Sequence, residues 1–310
     1  MNTYHISFRA MGCQITIQLQ TEADATPILD TIPDQVEQLE AQLSRFRLAS
    51  DLMHLNARAG EWVAVSEALF ETIHIAKHTA RLTDGLYNPL VLPAMIASGY
   101  DRSFEQLTAP TPRPSSPVPD WHDIDLRVSS HQVRLPKGSA IDLGGIAKGW
   151  TANFIADQLG QYGACLVNFG GDMVARGAPL EWSGWQVGIH DPHTDSIIAM
   201  LALSDTAIAT SGVDYRRWKI ATGDTYHHII NPKTGKPAKT DVISATVIHP
   251  NACYAEAYAK AVIILGAQDG LVWLNDQWDA QGLVVCADGK ILATPYFLAS
   301  SQEQETGELS

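Results

Sequence analysis

Helices packed on largely antiparallel sheets, an α+β arrangement, are what this sequence predicts, and three observations predict it. The N-terminal residues alternate apolar and polar side chains over two runs, as paired strands do. Several later stretches carry apolar residues at helical intervals. Between Trp185 and Pro250, β-forming runs alternate with turn signals.

In chain order, Tyr4–Arg9 and Gln14–Gln20 read as strands, with Gly12 at the turn or bulge between them. The apolar period over Pro27–Phe46 predicts a helix. Ser50-Asp51 opens a short helix ending near Asn56, and Ser66-Glu67 opens a longer one closed by Gly85, each with serine as its cap. From Thr108 to Pro119 repeated prolines remove backbone donors and fix φ, so the stretch reads as a surface excursion or linker. Short strands around Asp123–Val128 and Gln132–Leu135 lead to Ile141-Asp142-Leu143-Gly144-Gly145, after which a helix is expected from about Ile146 to Gln161. The strand Cys165–Phe169 ends at Gly170-Gly171. Gly223-Asp224 and Lys233-Thr234-Gly235 are the turns that suggest an antiparallel sheet over 185–250, and a helix from Ala252 to Leu265 follows. The chain reads as one domain over residues 1–298, in one body or two lobes, with a polar, flexible tail at 299–310.

Composition narrows the function. A chain of 310 residues with 45% apolar side chains can bury a sizeable core. With 34 acidic against 21 basic residues, its charge of −13 disfavours nucleic acid and anionic membrane, so a nucleotide ligand needs a local positive patch. MNTYHISFRAMGCQITIQL has no basic segment followed by a long apolar core, and His5, Ser7 and Arg9 interrupt what would precede a lipoprotein cysteine at Cys13. No apolar run is long enough to span a bilayer, and the four cysteines lack metal-ligand spacing. A cytoplasmic protein without a membrane anchor is expected.

Several stretches carry chemistry. Gly144 and Gly145 stand where a strand gives way to a helix, with Lys148 close behind, so a phosphate or a merely steric turn both suit them. His227 and His228 face opposite sides of a strand if it alternates, so one can point into a cleft, to accept a proton or orient a phosphate, while the other is solvated. Glu256 and Lys260, four apart on a helix, are either ligands or an ordinary ion pair. Asp172 after Gly170-Gly171, and Asp214 and Arg216 after Ser211-Gly212, are loop positions suited to ligand or turn. Phe46 and Tyr87 offer planar faces beside polar turns, and Asn88 can hold a ligand or cap the backbone.

AMGCQITI, LSRFRLASDLMHLN, TDGLYNPLV, IDLGGIAKGW, CLVNFGGDMVARG, ATSGVDYRRW, HHIINPKTGKP and AEAYAKAVIILG follow one another in an order that resembles the ApbE-type flavin transferases, the FAD:protein FMN transferases, over nearly the whole chain. The resemblance implies a T-fold-like cleft for FAD and transfer of FMN through a phosphoester to a threonine or serine of an acceptor protein, with release of AMP. It implies an acceptor segment of the D-x-x-S/T-G-A-S/T type. His228 falls on the family's histidine and is the expected catalytic residue; Ala147, through its carbonyl, and Glu256 are the expected magnesium ligands. Phe46, Tyr87, Asn88, Gly144, Gly145, Lys148, Gly170, Gly171, Asp172, Ser211, Gly212, Asp214, Arg216, Thr234 and Lys260 are the expected FAD contacts. Three positions depart from the family pattern: Lys260 stands at a usual metal-ligand position, and Asn231 and Asn88 stand where aspartate is common. FAD hydrolysis to FMN and AMP, or FAD binding with little catalysis, are the alternatives that these departures leave.

Overall fold

The structure is a computed structural model that describes residues 1–107, 111–114, 117–221 and 223–297. The chain forms two compact units, one of Met1–Glu37, Lys148–Ser211 and the described residues from Thr240 on, the other of Gln38–Ala147 and Gly212–Lys239.

The first unit is built on an eight-stranded sheet. Its spatial order is Asn2–Ala10, Cys13–Thr21, Ala164–Phe169, Asp172–Arg176, Ala207–Gly212, Val242–His249, Gln281–Cys286 and Ile291–Ala293. The first five strands pair antiparallel in succession, as do the last three. Two of its hairpins turn in two residues. Ala10 faces Cys13 across Met11 (φ 50°) and Gly12 (φ 69°), and Phe169 faces Asp172 across Gly170 (φ 64°) and Gly171 (φ 103°). Both central residues are left-handed in each, the turn that matches strand twist and that glycine adopts without strain.

Alternation along these strands builds two cores. Ile15, Ile17 and Leu19 with Cys165, Val167 and Phe169 pack on one face with Ile32, Val36, Ile155 and Leu159. On the other face Leu166, Ala175, Ile208 and Val285 meet Trp185, Val187, Leu201 and Leu203 from a separate antiparallel pair, Trp185–His190 and Ile197–Leu203. The sheet is therefore covered on both sides.

The helix Ala252–Leu265 runs over the expected residues. The Asn251 side chain caps it by accepting from the Cys253 amide, and Gly266 (φ 88°) ends it. Gly149, in the helix Ala147–Gly160, lies so close to it that an added Cβ would stand 2.9 Å from the carbonyl carbon of Ala252.

The second unit holds the helices Asp51–Ala57, Glu67–Leu82 and Leu92–Ala97 and a three-stranded sheet in the order Val63–Ala64, Gln132–Arg134, Asp125–Arg127. It also holds two hairpins, Arg217–Lys219 with Thr225–His227 and Ile230–Asn231 with Lys236–Pro237. Ala94, Met95, Tyr100, Trp218, Ile220 and Ile230 form a core in it.

The expected elements need four adjustments. The helix foreseen over Pro27–Phe46 is two, Thr26–Leu29 and Ile32–Leu43; Pro33 lacks a donor and suits the first turn of a new helix rather than the middle of one. Its end falls early because Ser50 Oγ donates to the Ser44 carbonyl at 2.7 Å. Ser66 takes the N-cap position of Glu67–Leu82 without a capping bond from its hydroxyl, whereas Ser50 accepts from the Met53 amide at 3.1 Å as expected. The β-rich run over 185–250 is shared among four sheets instead of one. The described residues of the proline-rich stretch carry no helix or strand, and the tail at 299–310 lies outside the described residues. Among the described residues no helix is long and apolar enough to cross a membrane.

Candidate active site

In the first unit four charged side chains converge. Asp172 opens the strand that follows the Gly170-Gly171 turn, Lys148 stands in the first turn of the helix Ala147–Gly160, and Glu256 and Lys260 lie one turn apart on the helix Ala252–Leu265. Asp172 and Glu256 are almost wholly buried, 1% and 2% exposed. The Lys148 ammonium pairs with Asp172 Oδ2 and lies 3.7 Å from Glu256 Oε1. The Lys260 ammonium lies 3.3 Å from the same Glu256 oxygen, donates to the Glu256 carbonyl at 3.2 Å and reaches Ser211 Oγ at 3.4 Å. Glu256 Oε2 accepts the Gly149 amide at 3.3 Å, which places a carboxylate on the first turn of a 14-residue helix, where the dipole favours negative charge.

Two carboxylates and two ammonium groups thus balance in a buried space. Burial works against the charge of Glu256, but Lys260, Lys148 and the Gly149 amide outweigh it and hold its pKa below the ordinary 4.5. Burial pushes Asp172 up; Lys148 pulls it down, but the neighbouring Glu256 adds to the rise. For Lys148 burial opposes the charge, yet Asp172 and Glu256 prevail and keep it an ammonium. Gly170, whose amide bonds to the Gln14 carbonyl, and Gly171, whose amide bonds to Asn168 Oδ1 at 2.8 Å, shape the turn that aims Asp172.

The second unit holds the other expected residues. Asp142 organises the glycine turn: its Oδ1 accepts the Gly144 amide at 2.9 Å and its Oδ2 receives Arg45 Nε at 2.7 Å. The Gly144 amide foreseen as a phosphate donor is thereby engaged by a side chain of its own loop; Gly145 is half-buried beside it. Asn56 clasps the same loop, donating to the Ile141 carbonyl at 2.9 Å and accepting the Ile141 amide at 2.7 Å. Ala147 is buried, and its amide donates to the Leu143 carbonyl at 2.8 Å. The Arg45 guanidinium lies between two rings, 4.1 Å from Phe46 and 4.5 Å from Tyr100, and Tyr100 in turn packs on Trp218. Phe46 keeps 46% of its surface exposed. Tyr87 is buried at 6%, and Asn88 is engaged by the backbone at both ends, accepting from Leu90 and donating to the Pro119 carbonyl. Gly212, which ends the strand Ala207–Gly212, is partly buried, as are Asp214 and Arg216 in the loop that follows it, and Thr234 is exposed in its turn, where Oγ1 bonds the Asn231 carbonyl.

The expected solvated member of the histidine pair is not seen: both are partly buried, and His228 lies beyond the strand that ends at His227. The Ala238 carbonyl can only accept, so His227 Nε2 carries the proton and donates to it at 2.9 Å. The Ile229 amide can only donate, so Nδ1 accepts at 3.3 Å. Both ring nitrogens of His227 are thus fixed by backbone, and burial lowers its pKa, so this neutral ring is structural.

The magnesium expected from the resemblance does not suit Glu256 as it stands. Its Oε1 faces two ammonium groups, its Oε2 a backbone amide, and among the described residues no three His, Cys, Asp or Glu side chains could hold a metal ion.

Sequence reading passed over Arg45, Asn56, Tyr100 and Trp218, which hold the glycine loop and its aromatic neighbours, and treated Asp142 only as part of a motif. The adjacency of Arg45 and Phe46, a cation beside the aromatic residue already singled out, was the available signal.

Comparison with known proteins decides the family. The ApbE family model matches residues 11–284. The chain belongs to the ApbE family. An FAD:protein FMN transferase of Treponema pallidum (strain Nichols) is 31% identical over 294 residues, covering 88% of this chain and 80% of that protein. One of Vibrio cholerae is 27% identical, covering 86% and 83%. Among solved structures the ApbE protein of Thermotoga maritima superposes with a TM-score of 0.86 at 26% identity, covering 97% of this chain and 99% of that one. The mixed helical and antiparallel architecture is thus the ApbE fold, and the quartet around Glu256 and the loop around Asp142 are features of this ApbE chain's own side chains.

Proposed function

We propose that this chain is an FAD:protein FMN transferase that moves FMN from FAD onto a threonine or serine hydroxyl of an acceptor protein. The hydroxyl oxygen attacks the FMN phosphorus and forms the new phosphoester. The bond from that phosphorus to the bridging oxygen of the diphosphate breaks, and AMP leaves with the electron pair. The hydroxyl proton goes to His228, the histidine whose neighbour His227 is already held by backbone on both nitrogens. The observation that carries the reading is the buried quartet of Lys148, Asp172, Glu256 and Lys260, which supplies fixed ammonium groups in an otherwise acidic protein. Such preorganised charge is what a transferring phosphoryl group requires. The exposed surface of Phe46 is assigned to the flavin ring.

The acceptor is assigned a segment of the D-x-x-S/T-G-A-S/T type. We place the reaction in the cytoplasm, the compartment that would keep the thiols of Cys13, Cys165, Cys253 and Cys286 reduced. Magnesium is left out of the steps because Glu256 already faces two ammonium groups.

AMP release measured by chromatography tests the reading. AMP formed only when FAD and an acceptor peptide are both present supports transfer. AMP and FMN formed without peptide make the chain an FAD pyrophosphatase, and intact FAD under both conditions makes it a flavin-binding protein.

A further inference from the structure

Three oxygens surround the Lys260 ammonium: the Glu256 carboxylate at 3.3 Å, the Glu256 carbonyl at 3.2 Å and the Ser211 hydroxyl at 3.4 Å. Carboxylate, backbone carbonyl and hydroxyl are the oxygen donors that a hard divalent cation would take. Here they face one ammonium group. Resting on the transferase reading above, we propose that Lys260 is a built-in cation that replaces a divalent ion at Glu256, so that the protein handles the FAD diphosphate without bound magnesium.

Three features of the first unit support this. The charges already sum to zero, Asp172 and Glu256 against Lys148 and Lys260, so a divalent ion would add two uncompensated charges in a space where both carboxylates are almost wholly buried. A magnesium ion needs oxygens at about 2.0–2.1 Å in an octahedron, and cannot share Glu256 Oε1 with two ammonium groups that approach the same atom. The lysine cannot move away as a free ion can, because it is tethered one helical turn from Glu256 and its side chain is only 15% exposed. The cation that faces Glu256 is accordingly fixed in place and resistant to chelators.

The test reads metal binding and transfer separately. Manganese(II) is titrated into the intact protein and the free ion followed by electron paramagnetic resonance, for wild type, Lys260→Thr and Lys260→Thr/Glu256→Gln, each checked for folding by far-UV circular dichroism. Transfer of FMN to the acceptor peptide is measured in EDTA and in magnesium. The proposal expects no loss of the free-ion signal with wild type, stoichiometric loss with Lys260→Thr, none with the double variant, and an unchanged wild-type transfer rate in EDTA. It is overturned if wild type binds manganese, if folded Lys260→Thr binds none, or if wild-type transfer stops in EDTA and returns with magnesium. Should no condition modify the peptide, the transferase reading fails, while the manganese titration still decides whether Lys260 excludes the ion.

Discussion

Replacing Lys148 with methionine removes the ammonium that pairs with Asp172 and leaves that carboxylate buried. Lys148 also lies 3.7 Å from Glu256 Oε1, a separation worth about 4–5 kcal/mol at an effective dielectric constant of ~20. Its contact with Asp172 is closer still. Against these stands the cost of burying the ammonium, several kcal/mol in real proteins, which the truncation recovers. The net loss expected is about 3–5 kcal/mol, the usual cost of removing one partner from a buried pair. Equilibrium urea unfolding followed by circular dichroism measures it. Lys148→Met/Asp172→Asn should be less damaged than Lys148→Met alone, because asparagine carries no charge to strand, and the cycle of four proteins isolates the coupling. A loss for Lys148→Met below about 1 kcal/mol, the scale of an exposed ion pair, would refute the reasoning.

Other consequences follow from single contacts. Gly149→Ala places a methyl group 2.9 Å from the Ala252 carbonyl carbon and should cost about 1–3 kcal/mol in thermal or urea unfolding; an unchanged midpoint would mean that the helix yields freely. Because the folded pKa of Glu256 lies below the ordinary 4.5, the unfolded chain binds more protons between the two values. The stability difference between wild type and Glu256→Gln should therefore be full at neutral pH and shrink as pH falls below 4.5; a difference that grows on acidification contradicts the sign. His227→Ala should lower stability by roughly 1–3 kcal/mol through two lost backbone bonds. His228→Ala should abolish transfer in a protein that remains folded by circular dichroism; full transfer by folded His228→Ala would remove its assigned role.

Much of the frame was legible because local chemistry decides it. The hairpin at Met11-Gly12 and the helix Ala252–Leu265, bounded by Asn251 and Gly266, are written in turn residues, a cap and a glycine. Pro33 was an equally local signal, and weighing it against the apolar period would have divided the Pro27–Phe46 helix. Which strands share a sheet was not legible: Ala207–Gly212 and Val242–His249 are neighbours although the chain between them, Gly212–Lys239, belongs to the other unit. The candidate site divides the same way. Glu256 and Lys260 were paired by helical spacing, but their partner Lys148 comes from a distant helix, and Asp172 was aimed at it by a turn whose return strand had not been foreseen. Asn88 was read as a ligand or a cap, and its two backbone bonds place it as a cap. His228 was singled out by its place in the family's motif, whereas the bond that holds its neighbour His227 to the Ala238 carbonyl is one no spacing reveals.

The central claim is transfer of FMN to a protein hydroxyl. Mass spectrometry of a D-x-x-S/T-G-A-S/T acceptor peptide after incubation with the protein and FAD tests it most directly. The account predicts a gain of one FMN unit on the threonine or serine, absent with His228→Ala. An unmodified peptide alongside intact FAD would contradict it.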